Sequence, residues 1–302
     1  MDFSFAKTLM DKTSFPEEAK AFFAELYDKV KTDHEEAFTA LLNAYDEIDC
    51  DGFSKKIRAF ADVAGGCCYY TYWMLLLLLA SEEAKKKYDK RGVSEEIFYD
   101  TFSDLRCKLI ECKEVKGIWG TFVHGWYRHF LAGNIIKLGR LEYIKGMYAR
   151  GEPFVVGDVT IPDCYTMYGI HIPSTGEPFT LEERMKSYKM AYDFFKREDG
   201  VEYLMCECGS WLLYPEYQKV FPEGSNAGDF YRDFRLHTVT DFNDFDDDWR
   251  VFGDVEGKKI EDYPEDTRMR RAFKKHLISG GKNGYGEGIL LFDGERLLTR
   301  NN

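Results

Sequence analysis

Glu207 lies in the run Leu204, Met205, Cys206, Glu207, Cys208, which reads as a short buried strand. Burial strengthens a carboxylate as a proton acceptor, so Glu207 is a candidate general base. Strand alternation would equally turn such a residue to solvent or onto an arginine. His171 is the second candidate base. It falls at the end of a β-rich run, 165–172, and shares a face with Met167 and Gly169 by the period of two. The competing reading is a hydrogen-bonded core histidine. Ser210 completes the catalytic candidates, and Trp211 beside it could wall a substrate pocket. Gly209, Ser210 and Trp211 do not form a nucleophile elbow, because the second glycine of G-x-S-x-G is missing. Cys206 and Cys208 alternate onto one face as small core hydrophobes.

Other groupings point away from metal chemistry. His124 and His129 are five apart, outside the i, i+4 spacing of a helical zinc pair. The run 241–248 carries five Asp but lacks the central Gly and closing Glu of a calcium loop, so it reads as a solvated turn between two strands. The eight cysteines form no CxxC pair. Their spacing suits buried free thiols in a reducing cytosol, and no metal is expected.

The 302 residues suggest two domains. A net charge of −12 repels phosphate backbones and anionic headgroups, which argues against nucleic acid and membrane surfaces as partners. Lys85, Lys86, Lys87, Lys90 and Arg91 form a local basic cluster that reads as a solvated helix end. Residues 63–80 carry no charge. Their length is marginal for a bilayer, and three Tyr and one Trp sit mid-run, so the segment reads as the core helix of a helical domain. Charges throughout the first 30 residues argue against a signal peptide, and a cytoplasmic location is expected.

The elements that must position the candidate residues divide near Gly133. Before it, helices are expected at about 14–30, capped by Ser14, then at 34–47, 53–63, 66–89, 94–114 and 118–131. After it the texture is extended. Strands are expected at 140–149, 154–156, 165–172, 203–208, 234–239, 248–252 and 289–292, with helices at 181–196, 215–220, 225–233 and 268–279. Strands joined partly by helices and partly by hairpins give a mixed sheet in an α+β domain. The domains expected are 1–133, helical, and 134–302, α+β.

The order of short motifs across about residues 14–292 carries a resemblance. Gly139 to Tyr143 enters the sheet. His171, Ile172, Pro173 and Ser174 follow, then Gly209, Ser210, Trp211, Leu212 and Leu213 with Pro215, then Ser225 and Asn226, and a late helix ending at Gly280 and Gly281. This resembles a bacterial family of two-domain acyltransferases that pairs a helical N-acyltransferase N-terminal domain with a GNAT-like C-terminal domain, GNAT being the fold of acyl-CoA-dependent N-acetyltransferases. The resemblance implies acyl transfer from acyl-CoA, as co-substrate, to a small amine, with Trp211, Ser225 and Asn226 on the substrate side. It leaves the acceptor and the oligomeric state open. GNAT proteins cradle the CoA pyrophosphate on an Arg/Gln-x-x-Gly-x-Gly/Ala turn. The nearest match, Gly284 and Gly286, has Gly281 where Arg or Gln belongs. Ser174, Thr175 and Gly176 form a substitute cradle, in a loop whose small residues would let main chain approach a phosphate. The same loop is explained by capping alone, with Thr180 as N-cap and Glu183 completing a capping box. Loss of the motif also admits a second reading, a non-catalytic binding protein that retains the GNAT-like sheet.

Overall fold

The computed structural model describes residues 2–44, 51–245 and 247–301, with nothing resting on the side chain of residue 51. The chain divides into two compact units. One comprises 1–137 with 173–175, the other 138–172 with 176–302.

The first unit is helical: α1 (Ser4–Lys12), α2 (Glu17–Asp33), α3 (Glu35–Asn43), α4 (Asp51–Ala64), α5 (Tyr69–Lys90), α6 (Glu95–Phe102), α7 (Asp104–Lys116) and α8 (Arg128–Ala132). The central element is α5. Residues 71–81 are buried on every side of it, as the uncharged run predicts. Each of its five consecutive leucines, 75–79, contributes about 1.5–3 kcal/mol relative to exposure. No single helix among the described residues is long and apolar enough to cross a membrane. The basic cluster at the end of α5 does more than solvate it. The Lys87 ammonium donates to the Leu131 carbonyl at 2.9 Å and Arg91 to that of Gly133 at 2.8 Å, which satisfies the terminal carbonyls of α8.

Three helix expectations are corrected in this unit. Ser14 does not cap α2: it adopts φ 57°, and the N-cap is Pro16. The helix expected over 94–114 is two helices broken at Ser103. Residues 118–123 are not helical. Gly117 ends α7 in the left-handed region, and Gly120 lies so close to the start of α5 that a Cβ there would stand 2.8 Å from the Tyr70 carbonyl. Residues 45–47, expected to end a helix, lie outside the described residues.

The later chain forms β1 (Ile135–Leu138), β2 (Leu141–Tyr148), β3 (Phe154–Val156), β4 (Val159–Ile161), β5 (Tyr165–His171), α9 (Leu181–Asp199), β6 (Leu204–Ser210), α10 (Asn226–Tyr231), β7 (Arg235–Phe242), α11 (Asp248–Phe252), α12 (Arg268–Ile278) and β8 (Asn283–Phe292). A mixed sheet runs β1-β2-β5-β6-β8-β7, and β3 and β4 form a separate hairpin. The α+β reading therefore holds. The parallel pair is β5 and β6, with α9 as the crossover that parallel neighbours require. One face of the sheet packs on α9: Tyr168 stacks on Phe195 at 3.8 Å, and the hydroxyls of Tyr143 and Ser187 lie 2.9 Å apart. The other face packs Met167, Met205, Ile289 and Leu291 against Val156 and Ile161 of the hairpin.

Strands β1 and β4 are not among the expected strands, and two expected elements differ here. Residues 248–252 are helix, not strand: Asp248 supplies an acid to the first turn, and the Gly253 N–H closes the last turn on Trp249. Strand β8 begins at Asn283, well before residue 289, because its alternate glycines are packing sites. A Cβ at Gly286 would stand 2.2 Å from the Leu213 carbonyl oxygen, and one at Gly284 2.4 Å from that of Thr240. The thiols divide as well. Cys107, Cys112, Cys206 and Cys208 are buried, Cys67 is half-buried, Cys68 and Cys164 are exposed, and Cys50 lies outside the described residues.

The position of α9 is fixed by charge. Arg184 is fully buried and donates from Nε to Asp233 at 2.7 Å, from Nη2 to Asp229 at 2.7 Å and from Nη1 to the Phe179 carbonyl at 3.0 Å. Tyr188 donates to Asp233, and Arg300 donates to both carboxylates. Removing one partner of a buried pair leaves the other unpaired, at about 3–5 kcal/mol. Arg184→Met is expected to lower urea stability by about that amount, whereas Lys186→Met on the exposed side of α9 should cost under about 1 kcal/mol. Burial acts to raise the Asp229 carboxyl, but hydrogen bonds from Arg184 and Arg300 outweigh it and hold the group below its usual 3.8. Its contribution is therefore present above that pH and lost as pH falls through the lower folded-state value. The fall in urea midpoint below about pH 4 should be shallower in Asp229→Asn than in wild type.

Candidate functional site

Strands β5 and β6 pair only through Tyr168 with Cys206 and Gly169 with Glu207. Both continue further, to His171 and Ser210, each still paired on its outer side: His171 with Glu142 of β2, Ser210 with Gly286 of β8. The parallel ladder thus covers only the middle of the two strands, and both run on past it toward their carboxyl ends. In α/β crossovers this is where ligands bind, next to the start of the following helix. Residues 172–180 lead from that end of β5 into α9 without regular structure.

Register puts Glu207 and His171 on one face of the sheet, with Glu207 level with Gly169 and His171 two residues further along β5. Of the two competing readings of Glu207, the arginine partner is found. Arg150 Nη2 donates to Glu207 Oε1 at 2.6 Å. His237 Nε2 lies 3.1 Å from the same oxygen and 2.9 Å from Arg150 Nη2, and its Nδ1 lies 2.8 Å from Thr238 Oγ1. The three side chains are between 17% and 36% exposed.

Each member is placed by a specific local device. Arg150 follows β2 in a turn whose N–H groups, with that of Gly151, are held by the Asp163 carboxylate at 2.9 and 3.2 Å. His237 occupies a β-bulge: Leu236 pairs with Gly288 and Thr238 with Glu287, leaving His237 as the extra residue. A bulge re-aims a side chain, and here it brings the imidazole toward Glu207. Burial, then the Arg150 charge, push the imidazole below its usual 6.5 despite the opposing carboxylates of Glu207 and Glu287, so it is neutral at neutral pH. Tyr285 stands on the same face over Gly209, where a Cβ would meet its hydroxyl at 1.8 Å. Burial pushes that hydroxyl to about 12, so it remains protonated.

The remaining sequence candidates are placed individually. Ser210 caps the short turn Trp211–Leu213, its Oγ accepting from the Leu212 N–H at 3.1 Å. Trp211 packs among Tyr217, Phe221, Phe245 and Phe273 at ring separations of 5.6–6.2 Å. Ser225 caps α10 through the Gly228 N–H, and Asn226 is the first residue of that helix. Thr180 caps α9 by accepting from the Glu183 N–H at 3.3 Å, as expected. Ser174 and Gly176 are exposed and Thr175 is half-buried. Gly176 takes φ +77° with nothing within 4 Å of a would-be Cβ, so the left-handed conformation, not close packing, calls for glycine there. Gly284 and Gly286 are strand residues between β6 and β7, which rules them out as a phosphate turn. The Asp-rich run is used piecemeal: Asp241 accepts from Tyr214 at 2.6 Å, Asp247 pairs with Arg250, and Asp248 accepts from Tyr263 at 2.8 Å. Asp246 lies outside the described residues.

Sequence reading missed Arg150 and His237. They are 57 and 30 residues from Glu207, and nothing local announces the bulge. The turn-forming Arg150, Gly151, Glu152, Pro153 run was the one available signal, since it places an arginine at a strand end.

No curated protein matches the chain. Among solved structures, an acyltransferase in complex with decanoyl-CoA and teicoplanin superposes with a TM-score of 0.71 at 18% identity, over 95% of this chain and 87% of that one. An acyltransferase in complex with CoA and 10C-teicoplanin gives 0.71 at 18% identity, over 94% and 86%. An acyltransferase mutant in complex with octanoyl-CoA gives 0.69 at 18% identity, over 94% and 86%. At that identity the likeness is one of fold. The N-acyltransferase N-terminal domain matches residues 4–133, and the GNAT-like C-terminal domain matches residues 135–290. The chain belongs to the family of two-domain proteins that joins these two domains.

Proposed function

We propose that this protein transfers an acyl group from an acyl-CoA thioester to a small amine, with Glu207 as general base. The observation that carries the reading is the parallel β5–α9–β6 crossover whose ladder ends at Gly169 and Glu207 while both strands run on. An extended thioester laid along those strand ends has its carbonyl carbon beside the face that bears Glu207 and His171. The acceptor nitrogen attacks that carbon, the C–N bond forms and the C–S bond breaks. The proton lost by the amine passes to Glu207, and CoA leaves as a thiolate that is protonated in turn. Among the described residues Glu207 Oε2 takes part in no hydrogen bond, whereas Oε1 is held by Arg150. One carboxylate oxygen is therefore anchored and the other faces the acceptor. His171, on the same face, is the second candidate base.

Ser174, Thr175 and Gly176 are the proposed diphosphate contacts, with the start of α9 behind them. The solved relatives hold acyl-CoA or CoA, which supports a CoA donor. A small-molecule acceptor, a cytoplasmic location and the domain limits 1–133 and 134–302 belong to the same reading. One finding favours the rival, a binding protein without CoA chemistry: the only glycines resembling the GNAT cradle are locked in β8.

Thermal denaturation with acetyl-, octanoyl- and decanoyl-CoA decides between them. A ligand at 100 times its dissociation constant adds about 2.7 kcal/mol. Wild type and Glu207→Gln should both show the shift, while Glu207→Gln loses about 10²–10⁴-fold in kcat. No shift with any acyl-CoA at millimolar concentration would leave the binding-protein reading standing.

A further inference from the structure

The bulge in β7 brings His237, on the edge strand of the sheet, against Glu207 and Arg150. Among the described residues only one oxygen of Glu207 is engaged. Oε1 accepts from Arg150 at 2.6 Å and lies 3.1 Å from His237 Nε2, while the far side of the ring, Nδ1, is held at 2.8 Å by Thr238 Oγ1. Thr238 is the residue that shares the bulge, so the backbone irregularity and the ring's second contact come from one device. A carboxylate fixed at one oxygen by an arginine alone can still pivot about that contact. His237 Nε2, from a different strand, accepts from the same Arg150 Nη2 at 2.9 Å; it holds the guanidinium in place, removes the pivot and aims Oε2.

We propose that His237 is a positioning residue for Glu207: the bulge holds its ring so that Nε2 accepts from Arg150 Nη2 at 2.9 Å and keeps that guanidinium on Oε1, which presents Oε2 to the acceptor amine. This rests on the reading of Glu207 as the base. His237 does not touch the reacting atoms. Arg150 from the β2–β3 turn, Glu207 from β6 and Glu287 from β8 are the charged groups that face the ring. Burial, then the guanidinium, disfavours an imidazolium, so His237 is neutral at neutral pH and does not itself store the proton.

Glutamine and asparagine separate this role from a structural one. A Gln amide reaches the position of Nε2, whereas an Asn amide reaches only that of Nδ1. His237→Ala and His237→Asn should lower kcat about 10–100-fold with KM for acyl-CoA unchanged, the range typical of groups that orient a reactive side chain. His237→Gln should recover most of the loss, and all three should melt close to wild type. Thermal shift with decanoyl-CoA is run on the same samples. If wild type shows neither a shift nor turnover, the transferase reading fails, and this inference with it. If wild type turns over and His237→Ala matches it in kcat, the positioning role is overturned. Equal losses in the Ala, Asn and Gln variants together with a common fall in Tm would overturn it as well, because the ring would then serve stability alone.

Discussion

Arg184 is buried completely, and its three nitrogens donate to two carboxylates and a carbonyl. A guanidinium taken out of water costs several kcal/mol unless it is fully paired, so α9 has one acceptable depth and rotation. The partners come from three further places: Asp229 in α10, Asp233 just before β7, and Phe179 in the loop before α9. Arg300 and Thr299 then close the same network from the chain's end, Thr299 Oγ1 donating to the Asp233 carbonyl at 2.8 Å. The arrangement gives specificity more than net stability. Apolar residues of the same volume could hold the helix, but they would tolerate sliding that a charge network does not. Because α9 is the crossover of the parallel pair, fixing it also fixes how β5 and β6 lie side by side.

The same sheet must carry a core and a polar site on one face. Met167, Met205, Ile289 and Leu291 fill the end of that face under the β3–β4 hairpin. Glu207, two residues beyond Met205, would be a buried charge if the hairpin extended further. The boundary between the two regimes is set by Arg150. Its turn, pinned by Asp163, directs a cation back over the sheet at the point where the apolar cover ends. Arg235 ties the hairpin to β7 through the Val155 carbonyl and lies over the Phe154 ring at 5.8 Å. Two arginines therefore hold the hairpin in place, and one of them also supplies the countercharge for Glu207.

Elements whose periodicity is set by their own burial were legible in the sequence. The uncharged run of α5, the capped amphipathic α9 and the alternation of β5 and β6 all read correctly, because a helix or strand with one dominant environment shows its period. Where tertiary contact overrides local preference, the reading failed. Residues 118–123 look helical until Gly120 is seen pressed on the main chain of Tyr70. The first half of β8 looks like a loop because its glycines make room for Leu213, Tyr214 and Phe234. For the site, Glu207 and His171 stood out as polar residues in apolar strands. Their relation, two residues apart across a parallel ladder, follows from pairing that no local pattern encodes. His237 was invisible for a sharper reason: a bulge shifts a side chain's face without altering composition.

On the proposed reading, CoA recognition must rest on main chain. The loop 172–180 contains no Lys or Arg, and Glu177, Glu182 and Glu183 surround the start of α9 with negative charge. Thr180 already takes the Glu183 N–H, which leaves earlier N–H groups of that turn and the small residues 174–176 to meet a diphosphate. Such a cradle binds an anion weakly beside three carboxylates, so the donor's affinity has to come from elsewhere. The edges of β5 and β6 past the ladder are the available source. Beyond Gly169 and Glu207 each strand keeps a register partner on its outer side. An extended arm carrying amide groups can add to such edges as a short strand, and its hydrogen bonds are insensitive to the charge of the loop. On that reading the donor is held by strand edges rather than by a charged turn. The buried network around Arg184 fixes how those strands lie.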